Sequence, residues 1–158
     1  MDERTWESKY SVIGAYMKPQ FDLSTGVFLP HFIIPGTMPT LNEYLASCNQ
    51  RPQIGAAMKR KYKNLACDSI RFSISTRHYK ASKPLIVHFI YFEPNRRRDK
   101  DNIDSMCRKC VFDALQDCGV IPNDGWHEIE NYTHDFYVVD HPRDVRIEVY
   151  LEEIEDEM

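Results

Sequence analysis

Hydrophobic residues recur along the chain with spacings that separate helices from strands. The clearest element lies between Asp101 and Gly119, where apolar residues fall at i, i+3, i+4 and i+7 and form one continuous helical stripe. They are Ile103, Met106, Cys107, Cys110, Val111, Ala114, Leu115 and Cys118. Asp101 is predicted to be the N-cap of this helix, and Gly119 is predicted to end it.

Strands are predicted where apolar and β-branched residues are dense. Residues 83–92 (KPLIVHFIYF) are nearly all apolar, which predicts a central strand. Residues 27–34 predict a further strand, and Pro30 favours a position at the edge of the sheet. Two more strands are predicted at about 133–139 and 145–151.

Two further helices are predicted between the first two strands. Thr40 and Glu43 have the spacing of a capping box, which predicts a helix over 41–48. A second amphipathic helix is predicted over 54–72, with a basic outer face that includes Lys59, Arg60 and Lys63. The element order predicts an α/β (α+β) fold: a single domain with a mixed β-sheet flanked by helices. We expect an extension at 1–26, the domain at 27–151 and an acidic tail at 152–158.

The charges are distributed unevenly. The net charge of the 158 residues is −4, yet residues 51–109 carry 15 basic and 5 acidic residues, whereas residues 110–158 carry 2 and 14. A basic middle segment is typical of a surface that meets phosphates, although solvated faces would give the same pattern.

Other properties of the composition bear on location. No apolar run is long enough to span a membrane, and the first residues lack a signal-peptide pattern, so we expect a cytoplasmic protein without membrane contact. Five irregularly spaced cysteines do not indicate a disulfide framework. Cys107 and Cys110 have the spacing of a zinc or redox pair, but both belong to the apolar stripe, which favours a core position.

The segment 96–102 (RRRDKDN) carries the candidate chemistry. Asp99 and Asp101 follow the central strand two residues apart, where their repulsion favours a divalent cation such as Mg²⁺. Asp124 lies in a tight Asn-Asp-Gly turn after the helix and is expected to add a third carboxylate. Metal-assisted cleavage of a phosphodiester is one interpretation of these residues. The other is structural, with Asp101 as a cap, Asp124 as a turn residue and Asp99 as a partner for arginine.

Several motifs resemble the RusA family of Holliday junction resolvases, in the form found in Gram-positive bacteria and their phages. The similarity extends over roughly residues 28–151. It is carried by RRDKDN at 97–102, FDAL at 112–115, GVI at 119–121 and NDGW at 123–126, with weaker matches at IPG (34–36), LNEY (41–44) and MK (58–59).

The resemblance implies a homodimer that nicks four-way DNA junctions symmetrically with Mg²⁺, or with Mn²⁺ as a substitute. Its acidic triad falls on Asp99, Asp101 and Asp124, which would be both catalytic and metal-binding, and Asn102 would support them. The family's catalytic lysine falls on Lys109. The stretch from Asp101 to Asp113 is about one helical turn longer than in the enterobacterial pattern of the family. Arg108 therefore lies closer than Lys109 to the azimuth of Asp101, and either residue remains a candidate. The expected DNA-binding residues are Arg96, Arg97, Arg98, Lys100, Arg108, Lys59, Arg60 and Lys63.

Other assignments stay open at this stage. The chain could be a junction-binding protein without cleavage activity, or a phosphohydrolase that acts on small nucleotides; the broad basic segment favours a larger polyanion. Trp126 is expected either to stack on a base or to serve as a core or lid residue. His127 follows the Asp124 turn closely and is expected either to assist at the site or, as the favoured interpretation, to be a surface residue.

Overall fold

The protein is a single α+β domain with three helices and a four-stranded mixed sheet, as the sequence predicts. The structure, a computed structural model, describes residues 11–12, 15–16, 29–74 and 78–155. The sheet consists of β3 (His31–Pro35), β4 (Leu85–Glu93), β5 (Ile129–Val138) and β6 (Arg146–Glu153). The helices are α1 (Leu41–Gln50), α2 (Pro52–Ser73) and α3 (Lys100–Asp117), and a short 3₁₀ helix spans Pro142–Asp144. A small hairpin pairs β1 (Ser11–Val12) with β2 (Ala15–Tyr16).

The strand order is β3-β6-β4-β5. The strand β4 pairs in parallel with β5 and antiparallel with β6, which also pairs antiparallel with β3. The prediction of a central β4 is therefore confirmed, as is the edge position of β3. Because β4 and β5 are parallel, the connection between them must return along the length of the sheet, and α3 makes this crossover.

The helices cover one face of the sheet. Alternate residues of β4, such as Phe89 and Tyr91, point to this face and are completely buried against the apolar stripe of α3. The stripe residues from Ile103 to Leu115 are all at most 4% exposed, because their helical spacing keeps them on the side that faces the sheet. A smaller buried cluster of Ile90, Phe92, Val139 and Tyr150 lies on the opposite face.

The start of α3 differs from the prediction, whereas its end does not. The prediction that Asp101 is the N-cap of α3 is wrong. Asp99 is the cap residue, and the carbonyl of Asp99 accepts the first helical hydrogen bond, from the N–H of Ile103 (3.0 Å). The first two helical residues, Lys100 and Asp101, are exposed, so the apolar stripe could not mark where the helix begins. Gly119 does end the helix, with a φ of 74° that glycine adopts without strain.

The other differences concern the ends of the chain and of β5. The strand β5 begins at Ile129, four residues before the predicted start. The strand β6 continues to Glu153, so the expected tail boundary at 152 falls inside the sheet. Most of the expected extension at 1–26, residues 27–28 of the predicted first strand and residues 156–158 of the tail lie outside the described residues.

Candidate functional site

The loop that joins β4 to α3 holds most of the candidate site. Asp99 is extended (φ −73°, ψ 136°), and its side chain forms no capping hydrogen bond, which leaves an exposed carboxylate. Asp101 lies in the first turn of α3, also exposed, where the helix dipole stabilises negative charge. Arg96, Arg97 and Lys100 are exposed beside these carboxylates. The structure thus places two acidic and three basic side chains on one short segment.

Two adjoining clefts open at this segment, and Lys100 and Phe136 line both of them. One, of about 480 Å³, is lined by Asp99 together with Arg96. The other, of about 510 Å³, is lined by Asp101. Asn102 is half-buried on the first turn of α3. A polyanion that enters either cleft would therefore meet a carboxylate and Lys100.

Arg98 does not share this exposed position. Its guanidinium donates to both carboxylate oxygens of Glu93, with Nε 3.0 Å from Oε1 and Nη2 3.1 Å from Oε2. Nη1 donates to the backbone carbonyl of Met38 at 2.6 Å. These contacts give Arg98 a structural role. Its expected contact with DNA stays a prediction, since Arg98 also lines the cleft of Asp99. Arg98 ties the loop before Asp99 to the segment between β3 and α1.

Asp124 lies at the opposite end of the domain from Asp99 and Asp101. The loop that carries it is attached to the start of β4, because the N–H of Leu85 donates to the carbonyl of Glu128 at 2.9 Å. Asp99 follows the far end of the same strand. The 18 residues of α3 lie between the two sites in the chain, and a helix of this length is about 27 Å long. The expected convergence of three aspartates within one chain is thus not observed, and the described residues contain no cluster of three or more potential metal ligands.

The basic face of α2 is partly neutralised. Lys59 Nζ lies 3.2 Å from Asp113 Oδ2, and Lys63 Nζ lies 2.8 Å from Asp117 Oδ2, so both lysines pair with α3. The hydrogen bond and charge of Asp117 raise the pKa of Lys63, which keeps this amine protonated. Arg60 remains exposed. Lys59 and Lys63 are thus partly exposed and paired with carboxylates of α3, and their expected contact with DNA stays a prediction.

A polar network centred on the buried Asp104 of α3 was not predicted from the sequence. Asp104 is 3% exposed, accepts a hydrogen bond from the Tyr91 hydroxyl at 2.7 Å and forms an ion pair with Arg108. His134 Nδ1 lies 3.4 Å from Asp104 Oδ2. Burial, with the neighbouring Cys107 and Asp104, raises the pKa of Tyr91 well above its ordinary value, so the phenol stays a donor. The i, i+4 spacing of Asp104 and Arg108 was the available sequence signal.

The remaining candidates occupy different environments. Lys109 is exposed on α3, one residue beyond Arg108. Cys107 and Cys110 are completely buried. Burial raises the pKa of both thiols, to about 11 for Cys110, so neither is a ready thiolate ligand. Trp126 is 91% exposed beside the Asp124 turn, which excludes a core position for it.

No protein-family model matches the chain, and a search of curated proteins finds no match. None of the helices in the described part of the chain is both long and apolar enough to cross a membrane.

Proposed function

We propose that the chain is a Mg²⁺-dependent, structure-specific DNA endonuclease that acts on four-way junctions as a homodimer. The observation that carries the proposal is the segment at the N-terminus of α3. Asp99 and Asp101 present exposed carboxylates at two adjoining clefts, surrounded by the exposed cations Arg96, Arg97 and Lys100. The resemblance of this segment to the RusA family supports a junction as the substrate.

The donor set at this end suits Mg²⁺. The cation prefers oxygen ligands and typically takes one or two protein carboxylates, and it leaves the other positions to water and phosphate. Asp99 and Asp101 would hold it, and when bound it would supply a hydroxide nucleophile and stabilise negative charge on the phosphate. Arg96, Arg97 and Lys100 would bind and orient the DNA backbone around these carboxylates.

A homodimer would bring Asp124 to this end of the domain. In a pair related by a two-fold axis perpendicular to α3, the Asp124 loop of one protomer would approach the Asp99 loop of its partner. The charges favour this arrangement, since the Asp124 loop also carries Glu128 and would face Arg96 and Lys100. The dimer that the resemblance implies would therefore complete the acidic triad across the subunit interface.

Nicking of a labelled synthetic four-way junction tests the activity. We expect Mg²⁺ or Mn²⁺ to support symmetric nicks in the junction, with a linear duplex left intact. Asp101→Asn should abolish nicking and retain junction binding. Because phosphate contacts release counterions, binding should also weaken steeply as salt rises. Tight junction binding without nicks in either metal would contradict the enzyme proposal.

A mixing experiment tests the shared site. Asp101→Asn and Asp124→Asn protomers, each inactive alone, would form a heterodimer in which one site has Asp101 from one chain and Asp124 from the other, both intact. Mixing should therefore restore nicking in one strand. If each site used residues of a single chain, every site in the mixture would lack one carboxylate and no activity would return.

One observation favours a second candidate function. Within a single chain the three aspartates do not meet, as expected for a junction-binding protein without cleavage activity. This alternative predicts that Asp101→Asn and the wild-type chain bind junctions equally and that neither nicks them in any metal.

A further inference from the structure

The contact between α3 and β5 borders the Asp101 cleft and is built as a series of side-chain pairs. The pairs are Lys100 with Phe136, Asp104 with His134, and Arg108 with Tyr132. Lys100, Asp104 and Arg108 lie at i, i+4 and i+8, so they share one side of α3. This side runs from the first turn of the helix, where Asp101 lies, for two turns along the edge strand β5.

Asp104 is the buried centre of this series. Its Oδ1 accepts from the Tyr91 hydroxyl, and its Oδ2 meets both Arg108 Nη1 and His134 Nδ1. A carboxylate that is 3% exposed is costly to bury unless it is paired and hydrogen-bonded. Asp104 therefore holds Arg108 firmly, and rotation of the guanidinium away from it would leave a buried charge unpaired.

Arg108 keeps donors free toward the solvent. Its Cζ lies 4.2 Å from the centre of the Tyr132 ring, and its side chain is 24% exposed. Only Nη1 of its guanidinium is hydrogen-bonded within the described residues, which leaves N–H groups of Nε and Nη2 for a phosphate oxygen. Stacking on Tyr132 and pairing with Asp104 fix the plane of the Arg108 guanidinium before any ligand binds.

Arg108 lies close to the proposed active site along α3. Seven residues separate it from Asp101, a distance of about 10 Å along α3. A single DNA strand could therefore meet both residues. The adjacent Lys109 is also exposed, but no hydrogen bond or ion pair orients it among the described residues. Binding through Lys109 would have to order a flexible side chain, whereas Arg108 is already ordered.

We propose that Arg108, positioned by Asp104 and Tyr91, binds a backbone phosphate next to the phosphodiester at Asp99 and Asp101. This inference rests on the proposed function and assigns the helper role to Arg108 instead of Lys109. Asp104 and Tyr91 are positioning residues, since neither reaches the substrate.

Titration with inorganic phosphate tests the anion site without any nuclease activity. The imidazole signals of His134, assigned with His134→Gln, and the Arg108 Nε–H signal report binding by nuclear magnetic resonance. Saturable shifts are expected in the wild-type protein. Arg108→Gln should weaken phosphate binding about tenfold, because a charge-assisted contact is lost. The matched control is Arg71→Gln on α2, an exposed arginine away from the clefts, which should bind phosphate like the wild type.

Junction binding in EDTA provides the second readout. Each phosphate near the nick is replaced in turn by a neutral methylphosphonate. At one of these phosphates, the replacement should weaken junction binding by the wild-type protein and have no effect on binding by Arg108→Gln. Tyr91→Phe is used because it keeps the fold more readily than a change at Asp104. In this variant, replacement of the same phosphate should weaken junction binding less than in the wild type. If Asp104 and Tyr91 only stabilise the fold, Tyr91→Phe will lower the urea midpoint and leave this methylphosphonate effect unchanged.

The outcomes separate the two proposals. Phosphate binding at Arg108 without junction nicking would leave the anion site standing and refute the endonuclease. Junction nicking in which Arg108→Gln equals Arg71→Gln in both readouts would leave the endonuclease standing and overturn the role of Arg108. Loss of the methylphosphonate effect in Lys109→Gln instead would assign the phosphate to Lys109.

Discussion

Replacement of Arg98 by leucine tests whether this arginine stabilises the fold or contacts DNA. The substitution removes three hydrogen bonds: two to the Glu93 carboxylate and one to the Met38 carbonyl. It leaves Glu93, whose side chain is 7% exposed, without its cation. Loss of one partner from a buried ion pair costs about 3–5 kcal/mol. The Arg98 side chain is 22% exposed and water can enter in its place, so we expect the lower value, about 3 kcal/mol.

This loss is large enough to measure. In a domain of this length, each kcal/mol lowers the melting temperature by about 2–4 °C, so the expected fall is roughly 6–12 °C. Urea denaturation followed by circular dichroism gives the free energy of unfolding. Arg97→Leu is the matched control, because Arg97 is exposed on the same loop, and it should lose less than about 0.5 kcal/mol.

A double variant sharpens the test. Glu93→Leu in the Arg98→Leu background removes the unpaired carboxylate and should recover much of the lost stability, because two apolar residues can replace a buried ion pair. The structural role of Arg98 is refuted if Arg98→Leu unfolds like Arg97→Leu. It is also refuted if Arg98→Leu reduces the salt dependence of junction binding without a loss of stability.

Three further predictions concern other parts of the molecule. Gly55→Ala should lower the free energy of unfolding, measured in urea, by about 1–3 kcal/mol, because the new Cβ would lie 2.3 Å from Cys48 Sγ. Adding Cys48→Ala should recover part of this loss. Tyr91→Phe should cost about 1–3 kcal/mol, since buried Asp104 loses a donor; no change in the urea midpoint would contradict this. Partial burial raises the pKa of Glu153, but hydrogen bonds from neighbouring residues outweigh it and lower the net pKa below 4.5. The carboxylate therefore contributes stability above pH 4.5 that is lost as the pH falls through the folded-state pKa. Glu153→Gln should make the free energy of unfolding, measured in urea at decreasing pH, fall less steeply with pH.

The sequence by itself determined the elements and their order. The stripe of α3 repeats with the helical period over four turns, so its burial followed from spacing alone. The nearly continuous apolar run of β4 indicated an interior strand, and Pro30 an edge position for β3. The start of β5 was missed because its first residues are partly exposed and do not alternate in polarity. The start of α3 was missed because two aspartates offer equivalent caps and only the backbone decides between them.

Only the tertiary structure decided which candidate residues meet. Arg96, Arg97 and Arg98 are indistinguishable in sequence, yet Arg98 faces inward because a carbonyl 60 residues away and the end of β4 surround it. Asp124 follows α3 closely, but the parallel pairing of β4 and β5 places it at the opposite end of the domain. Asp104 and His134 are 30 residues apart and meet through the packing of α3 on β5. Periodicity is a local property that encodes helices and strands, whereas the position of a charge depends on contacts between segments far apart in the chain.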